Sequence, residues 1–176
     1  MHDPATGITA RNLGPADLDD LHAIGSERSV VRQMGGWPWP PRRDFTATRC
    51  RPYAGDGFVW GLDRGGRIVG TVAVTRGELG YMLHPQVSGQ GLGTRWVGLA
   101  VDHAFATLPL TRIDASAWAD NAASAAVLRK LGFVHWQTRF EQAIARGFPV
   151  ASHHYRLTRA THDRLRNADD CRKATA

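Results

Sequence analysis

Glycines at alternate positions mark one short segment of the sequence as a candidate ligand-binding loop. The segment separates a strand-like apolar run from a helix-like run, so it predicts a strand–loop–helix junction. Glycine lets the backbone bend tightly, and the first turn of the following helix offers free N–H groups at the positive end of its dipole. Such a junction binds anions, most often phosphate or pyrophosphate. Its residues are Ser88, Gly89, Gln90, Gly91, Leu92, Gly93 and Thr94.

Two commoner phosphate-binding loops do not fit this spacing. The dinucleotide fingerprint G-x-G-x-x-G requires a third glycine where Thr94 or Trp96 stands. The P-loop requires a Gly-Lys-Ser/Thr sequence, which does not follow these glycines. A plain flexible turn is the alternative interpretation, although alternating glycines between a strand and a helix are unusual for a simple connection.

The elements around this loop predict an α+β fold. A β-meander followed by alternating strands and helices indicates one mixed, mainly antiparallel twisted sheet of about six to seven strands, flanked by about four helices. The predicted strands are Ile8–Leu13, Gly57–Asp63, Arg67–Thr75, Glu78–His84, Arg112–Trp118, Phe133–Arg139 and Ser152–Leu157, and the predicted helices are Ala16–Ser26, Arg43–Arg51, Thr94–Thr107 and Asn121–Leu131. We expect one domain over residues 1–176, with a core at 8–158 and a polar tail, frayed or partly helical, at 159–176.

The bulk composition is that of an ordinary globular domain, with 43% hydrophobic and 22% charged residues. The net charge of +6 is scattered along the chain, so we expect no direct nucleic-acid partner. No apolar run approaches the roughly 20 residues that a membrane span needs. Cys50 and Cys171 lie far apart and predict free thiols in a reducing compartment. We therefore expect a cytoplasmic protein without a membrane partner or a metal.

The glycine loop and a second segment together resemble the GNAT superfamily of acetyltransferases. The family's cofactor loop, Q/R-x-x-G-x-G/A, fits residues 88–93 with Ser88 in the first place. Residues 86–91 match it literally, but we prefer the 88–93 register because Gly93 and Thr94 then begin the expected helix. Residues 121–133 resemble the N-x-x-S…K-x-G-F segment of the RimJ/RimL-like branch, which acetylates the N-termini of ribosomal proteins. Residues 78–81, Glu-Leu-Gly-Tyr, resemble that branch's E-I-G-Y strand.

The resemblance implies a GNAT-like fold with acetyl-CoA as co-substrate. An amine would attack the acetyl group directly in a ternary complex. The glycine loop would hold the pyrophosphate, and strand N–H groups would stabilise negative charge on the acyl oxygen. Outside the loop, the expected cofactor contacts are Met82, Leu83, His84, Asn121 and Ser124.

Two residues are candidates for catalysis. Glu78 matches a family position for the base that deprotonates the amine, although it also fits a solvated turn carboxylate. Many family members carry a tyrosine that protonates the departing thiolate where this chain has Leu128, so the resemblance implies Ser124 as the donor instead. Asn121 and Ser124 are three residues apart, which places them on one side of a helix start, where capping is the alternative role.

The acceptor side of the site is less defined by the sequence. Trp37 and Trp39 would line an acceptor pocket, or would equally be core residues. The acceptor would be a protein or peptide N-terminus, possibly ribosomal, or a small amine. The alternative function is a non-catalytic GNAT-like module that binds CoA as a sensor or interaction partner. We expect a monomer or a homodimer.

Overall fold

The strands of the described residues, 1–174, join in one sheet in the computed structural model. All neighbouring strands are antiparallel except β5 and β6, which are parallel. This arrangement confirms the predicted mixed, mainly antiparallel sheet. In spatial order the eight strands are β1 (His2–Asp3), β2 (Ile8–Arg11), β3 (Gly57–Arg64), β4 (Arg67–Thr75), β5 (Glu78–Leu83), β6 (Arg112–Trp118), β8 (Phe148–Thr158) and β7 (Val134–Ala143).

The helices lie on both faces of this sheet. They are α1 (Leu18–Gly25), α2 (Arg28–Val31), α3 (Arg43–Ala47), α4 (Leu92–Thr107), α5 (Ala122–Lys130) and α6 (Arg159–Ala174), with 3₁₀ turns at Pro15–Asp17 and Pro85–Val87. The α+β class is confirmed, but β1 and α2 were not predicted. Two-residue and four-residue elements are too short to show a period. Within residues 1–174, no helix combines the length and apolar character that a membrane span requires.

Of the two states expected for the polar tail after Thr158, frayed or partly helical, the structure has a helix as far as Ala174. The Arg159 guanidinium starts α6 by donating to the carbonyls of Phe105, Leu108 and Leu110 at 2.7, 3.2 and 2.9 Å. One turn later His162 lies 2.8 Å from Asp102 on α4. Side-chain polar contacts therefore attach this helix, which explains why an apolar stripe did not reveal it.

Two apolar clusters hold the layers together. The larger lies under α4 and includes Trp96 and Val72, both 1% exposed. The smaller lies under α1 and includes Ile24 and Met82. Successive strand side chains point to opposite faces, so β5 presents Tyr81 to the α4 side and Met82 to the α1 side. Strand β5 is therefore positioned between both helical layers.

Candidate active site

A gap opens in the sheet where β5 and β6 separate. The two strands pair only at Glu78 with Asp114 and at Leu79 with Ala115. Beyond that point β5 stays paired to β4 alone. The remaining length of both strands forms the walls of a slot that leads into the molecule.

The edge of β5 that faces the slot carries unpaired backbone groups. Asp114 N–H donates to the Gly77 carbonyl on the β6 side, whereas His84 N–H donates to Val69 on the β4 side. Backbone groups alternate along a strand, so the N–H groups of Tyr81 and Leu83 point toward the slot. The N–H of Met82 points toward β4 in this register. The strand N–H groups that face the slot are therefore those of Tyr81 and Leu83, and not the expected pair Met82 and Leu83.

The glycine loop closes one end of the slot. Gly89 and Gly91 have φ of 77° and 74°, in the left-handed region that favours glycine. Gly91 caps α4, and no acidic residue occupies the helix's first turn. The N–H groups at the start of α4 therefore have no intrahelical acceptor and no competing carboxylate.

These features surround a cavity of about 580 Å³, the main cavity. The slot forms its centre, the glycine loop and α5 form one end, and the segment around α2 forms the other. The structure brings nine of the predicted cofactor-contact residues to its wall: Met82, Leu83, Ser88, Gly89, Gly91, Gly93, Thr94, Asn121 and Ser124.

Asn121 and Ser124 form a cap and a polar contact at the start of α5. The Asn121 side-chain oxygen accepts from the Ser124 N–H at 3.1 Å, so Asn121 is the N-cap. The Ser124 hydroxyl lies 2.8 Å from the Tyr81 hydroxyl on β5. The capping role and a cavity-facing role therefore belong to one small cluster.

Tyr81 is a cavity residue to which the sequence analysis gave no role. Burial raises the pKa of its phenol, and the hydrogen bond with Ser124 offsets part of that rise. The phenol is therefore protonated at neutral pH and can donate to Ser124. Strand alternation from buried Leu79 could have revealed its direction, but the partner 43 residues away could not be read from the sequence.

Other predicted residues lie outside the cavity wall. The His84 ring accepts from the Gln86 N–H at 3.3 Å, and Leu92 is buried in the α4 cluster. Gln90 folds back on the loop and donates to the Gln86 carbonyl at 3.2 Å. These three residues therefore shape the loop and its approach.

Glu78 is exposed at the start of β5 and is not part of the wall. Its side chain shares a sheet face with Met82, on the side of α1 and α2. Among the described residues, the wall contains no carboxylate, and its titratable groups are Tyr81 and Lys130. A base in Glu78's position would reach the cavity only through water.

The two tryptophans lie beside the α2 end rather than in the main cavity. Trp37 packs edge-on against Phe45 at 5.4 Å between ring centroids and joins the α1 cluster. Trp39 lies 5.4 Å from the Arg28 guanidinium. Trp37 therefore fits the core interpretation, and the Trp39 ring packs against the Arg28 guanidinium.

The residues present fit acetyl-CoA in three respects. The start of α4 offers backbone N–H groups to a pyrophosphate. The slot offers N–H groups from Tyr81 and Leu83 to the acyl end, and Lys130 adds a positive charge to the wall. A Cβ built on Gly93 would lie 3.7 Å from both Leu83 and Val127, an ordinary contact distance, so Gly93 lies where the loop meets the slot.

Comparisons with known proteins agree with this geometry. Residues 8–134 match the family model described as "Acetyltransferase (GNAT) domain". The chain is 41% identical over 75 residues to "Probable N-acetyltransferase YjcK" of Bacillus subtilis (strain 168). That match covers 38% of this chain and 41% of the relative, so it spans less than half of the relative's length.

Solved structures extend the likeness over most of the chain. A spermidine N-acetyltransferase from Vibrio cholerae, in complex with CoA and spermine, gives a TM-score of 0.75 at 16% identity, covering 89% of this chain and 98% of its own. RimL, a ribosomal L7/L12 alpha-N-protein acetyltransferase in complex with CoA, gives 0.73 at 14% identity, covering 87% and 94%. At these identities the likeness shows a shared fold, and it confirms the GNAT-like prediction.

Proposed function

The chain belongs to the acetyltransferase (GNAT) domain family, and on that premise we propose that it transfers the acetyl group of acetyl-CoA to a primary amine. The observation that carries the proposal is the continuous main cavity, which joins an anion-binding helix start to an open strand edge. Acetyl-CoA supplies an activated thioester. The chain's own residues bind it, orient the amine and move protons.

The glycine loop and α4 would hold the pyrophosphate, with Asn121 and Lys130 along the α5 side. The N–H groups of Tyr81 and Leu83 would stabilise negative charge on the acyl oxygen, because they face the slot and lack strand partners there. Both contributions come from backbone amides that the fold has already oriented.

Ser124 is the proposed proton donor to the departing sulfur. Tyr81 can donate its hydroxyl hydrogen to Ser124 Oγ, because burial keeps the pKa of the phenol raised. The Ser124 hydrogen is then free to point into the cavity. Tyr81 is thus a positioning residue that acts through Ser124.

Glu78 is the proposed general base, acting through water. It lies on the sheet face shared with α1 and α2, from which the acceptor would enter. An amine that is mostly protonated at neutral pH must lose a proton before it attacks, and a solvated carboxylate can accept that proton through a water chain.

We place the chain in the RimJ/RimL-like branch, on the motif resemblance at residues 78–81 and 121–133. Two acceptor types follow from its relatives: a protein N-terminus, as RimL's description states, and a small amine, as the spermidine enzyme's name states. A non-catalytic CoA-binding module is the second candidate. It is favoured by one observation, the absence of a carboxylate among the described wall residues.

Release of CoA thiol in the presence of peptide and small-amine panels tests the proposal. We expect acetyl-CoA-dependent thiol release with at least one amine, and a much slower but measurable release in Ser124→Ala. Binding of acetyl-CoA without thiol release on either panel would favour the non-catalytic module. Turnover of small amines with none of the peptides would remove the N-terminal acceptor.

A further inference from the structure

A second cavity of about 410 Å³ adjoins the α2 end of the main cavity. We call it the arginine pocket, after the residues that line it: Arg28, Ser29, Arg32, Ala145, Arg146 and Phe148. Ser29 lines both cavities, so the two spaces meet at α2. The glycine loop is at the opposite end of the main cavity.

Arg146 is the fixed centre of this pocket. Its side chain is only 9% exposed. Its guanidinium donates twice to Asp120 at 2.9 Å, to the Gln33 side chain at 3.0 Å and to the Arg32 carbonyl at 2.7 Å. Gln33 itself lines the main cavity. Arg146 therefore ties the pocket to the catalytic space.

The pocket carries more positive than negative charge. Asp120 is the carboxylate in contact with it, and Asp120 is shared between Arg146 and Arg32, the latter at 3.1 Å. Arg28 lies over Trp39 and has no ion pair recorded within the described part of the chain. Glu27 precedes Arg28 and is exposed. The pocket thus holds three guanidinium groups and one bonded carboxylate, which Arg32 and Arg146 share.

We propose that the arginine pocket binds carboxylate groups of the acceptor, so that the preferred substrate is an amine with carboxylates close to its amino group. This inference rests on the proposed acetyltransferase function. The planar guanidinium matches a carboxylate with two parallel hydrogen bonds. A polycationic amine is repelled by the same groups, because like charges at short range disfavour binding.

Matched acceptors test the proposal directly. Two short peptide amides are compared, identical except that the second and third residues are acidic in one and the corresponding amides in the other. We expect kcat/KM to be roughly tenfold higher for the acidic peptide, as a partly exposed pair of charge contacts would give. Spermidine, as a polycation, is expected to be the poorest acceptor. Added salt is expected to reduce the preference.

Variants of the pocket arginines test whether the preference for the acidic peptide arises in the arginine pocket. Arg28→Gln/Arg32→Gln removes two charges but leaves the buried Arg146 network, and it should bring the acidic-to-amide ratio close to one. Arg164→Gln is the matched control, because Arg164 lies on α6, outside both cavities, and contacts Thr161. It should keep the full preference. Acetyl-CoA affinity should be unchanged in both.

Three results would overturn the inference. The first is equal turnover of both peptides, or faster turnover of spermidine, which leaves the acetyltransferase function intact. The second is a preference that survives in the double variant. The third is a loss of acetyl-CoA affinity in the double variant, which would assign the arginines to the cofactor. A lack of thiol release with every amine tested would instead refute the acetyltransferase function on which the inference rests.

Discussion

The loop end of the main cavity and the arginine pocket, which adjoins its α2 end, are built from different parts of the chain. At the loop end the wall is formed by Gly89, Gly91, Gly93 and Thr94, near neighbours in sequence at the start of α4, where free backbone amides are available. At the α2 end the arginine pocket is formed by side chains from segments far apart, since Arg146 contacts the Arg32 carbonyl across 114 residues. The residues of the loop end are neighbours in the sequence, whereas those of the arginine pocket come together only when the chain folds.

This difference explains what each end tolerates. A backbone site depends on helix geometry and on glycines such as Gly89 and Gly91, whose φ is positive, more than on the other side chains of the loop. A side-chain site changes its charge with single substitutions. We infer that the loop end fixes the cofactor and the α2 end sets the acceptor.

The largest expected effect comes from a charge at the loop end. Gly93→Glu places a carboxylate in the pyrophosphate site, and we expect acetyl-CoA affinity to fall on the order of 100-fold or more because like charges meet at short range. Gly93→Gln has nearly the same size without the charge and should lose much less. Calorimetric titration of both variants measures the difference.

Protein stability should not fall because of that charge. Glutamate in the first turn of α4 is favourable for the helix dipole, so the Glu variant should melt no lower than the Gln variant. Equal acetyl-CoA affinity for the two variants would contradict an anion site at this helix start.

A smaller effect is expected where the two ends meet, at Tyr81. Tyr81→Phe removes the hydroxyl that orients Ser124 and should lower kcat about tenfold while acetyl-CoA affinity stays the same. In the Ser124→Ala background the same change should have no further effect, because Tyr81 acts through Ser124. Independent, additive losses in steady-state kinetics would show that Tyr81 has a separate role.

The smallest effects concern the carboxylates that anchor each end. Asp3 is buried, and its hydrogen bonds from Arg95 on α4 lower its pKa from 3.8 to about 2. This lowered pKa stabilises the folded state above about pH 4, and the contribution is lost as pH falls through 2. Asp3→Asn should therefore lower Tm at pH 7, with the difference from wild type shrinking between pH 4 and 2.

Asp120 is the comparison at the α2 end. The Arg146 contact lowers its pKa too, but the side chain is 44% exposed. Solvent hydrates and screens the Asp120 carboxylate, whereas Asp3 is 3% exposed, so Asp120→Asn should change Tm less than Asp3→Asn does. Thermal melts across the acid range test the ordering, and a larger loss in Asp120→Asn would reverse it.

The sequence predicted the sheet class and the loop because both depend on local patterns. Alternating apolar residues and hairpin glycines set β3 to β5, and three glycines set the start of α4. For helix α6 the sequence left a frayed tail and a helix both open, since polar contacts such as Arg159 with the Phe105 carbonyl attach it. Short-range patterns carry no information about such contacts.

The same limit applies to the candidate site: roles that depend on local sequence were predictable, and contacts between distant residues were not. Asn121 could be recognised as a cap from its residue type and position. Tyr81 with Ser124 and Arg146 with Asp120 could not be paired, because strand order and helix packing bring them together across 43 and 26 residues. Trp37 illustrates the remaining ambiguity, as a tryptophan near a pocket packs into the core.

Titration of the wild-type protein with acetyl-CoA in a calorimeter measures whether the main cavity binds the cofactor. We expect saturable binding of one acetyl-CoA per chain, lost in Gly93→Glu and retained in Arg28→Gln/Arg32→Gln. An absence of heat and of saturation with the folded wild-type chain would contradict the cofactor site and, with it, the proposed acetyl transfer.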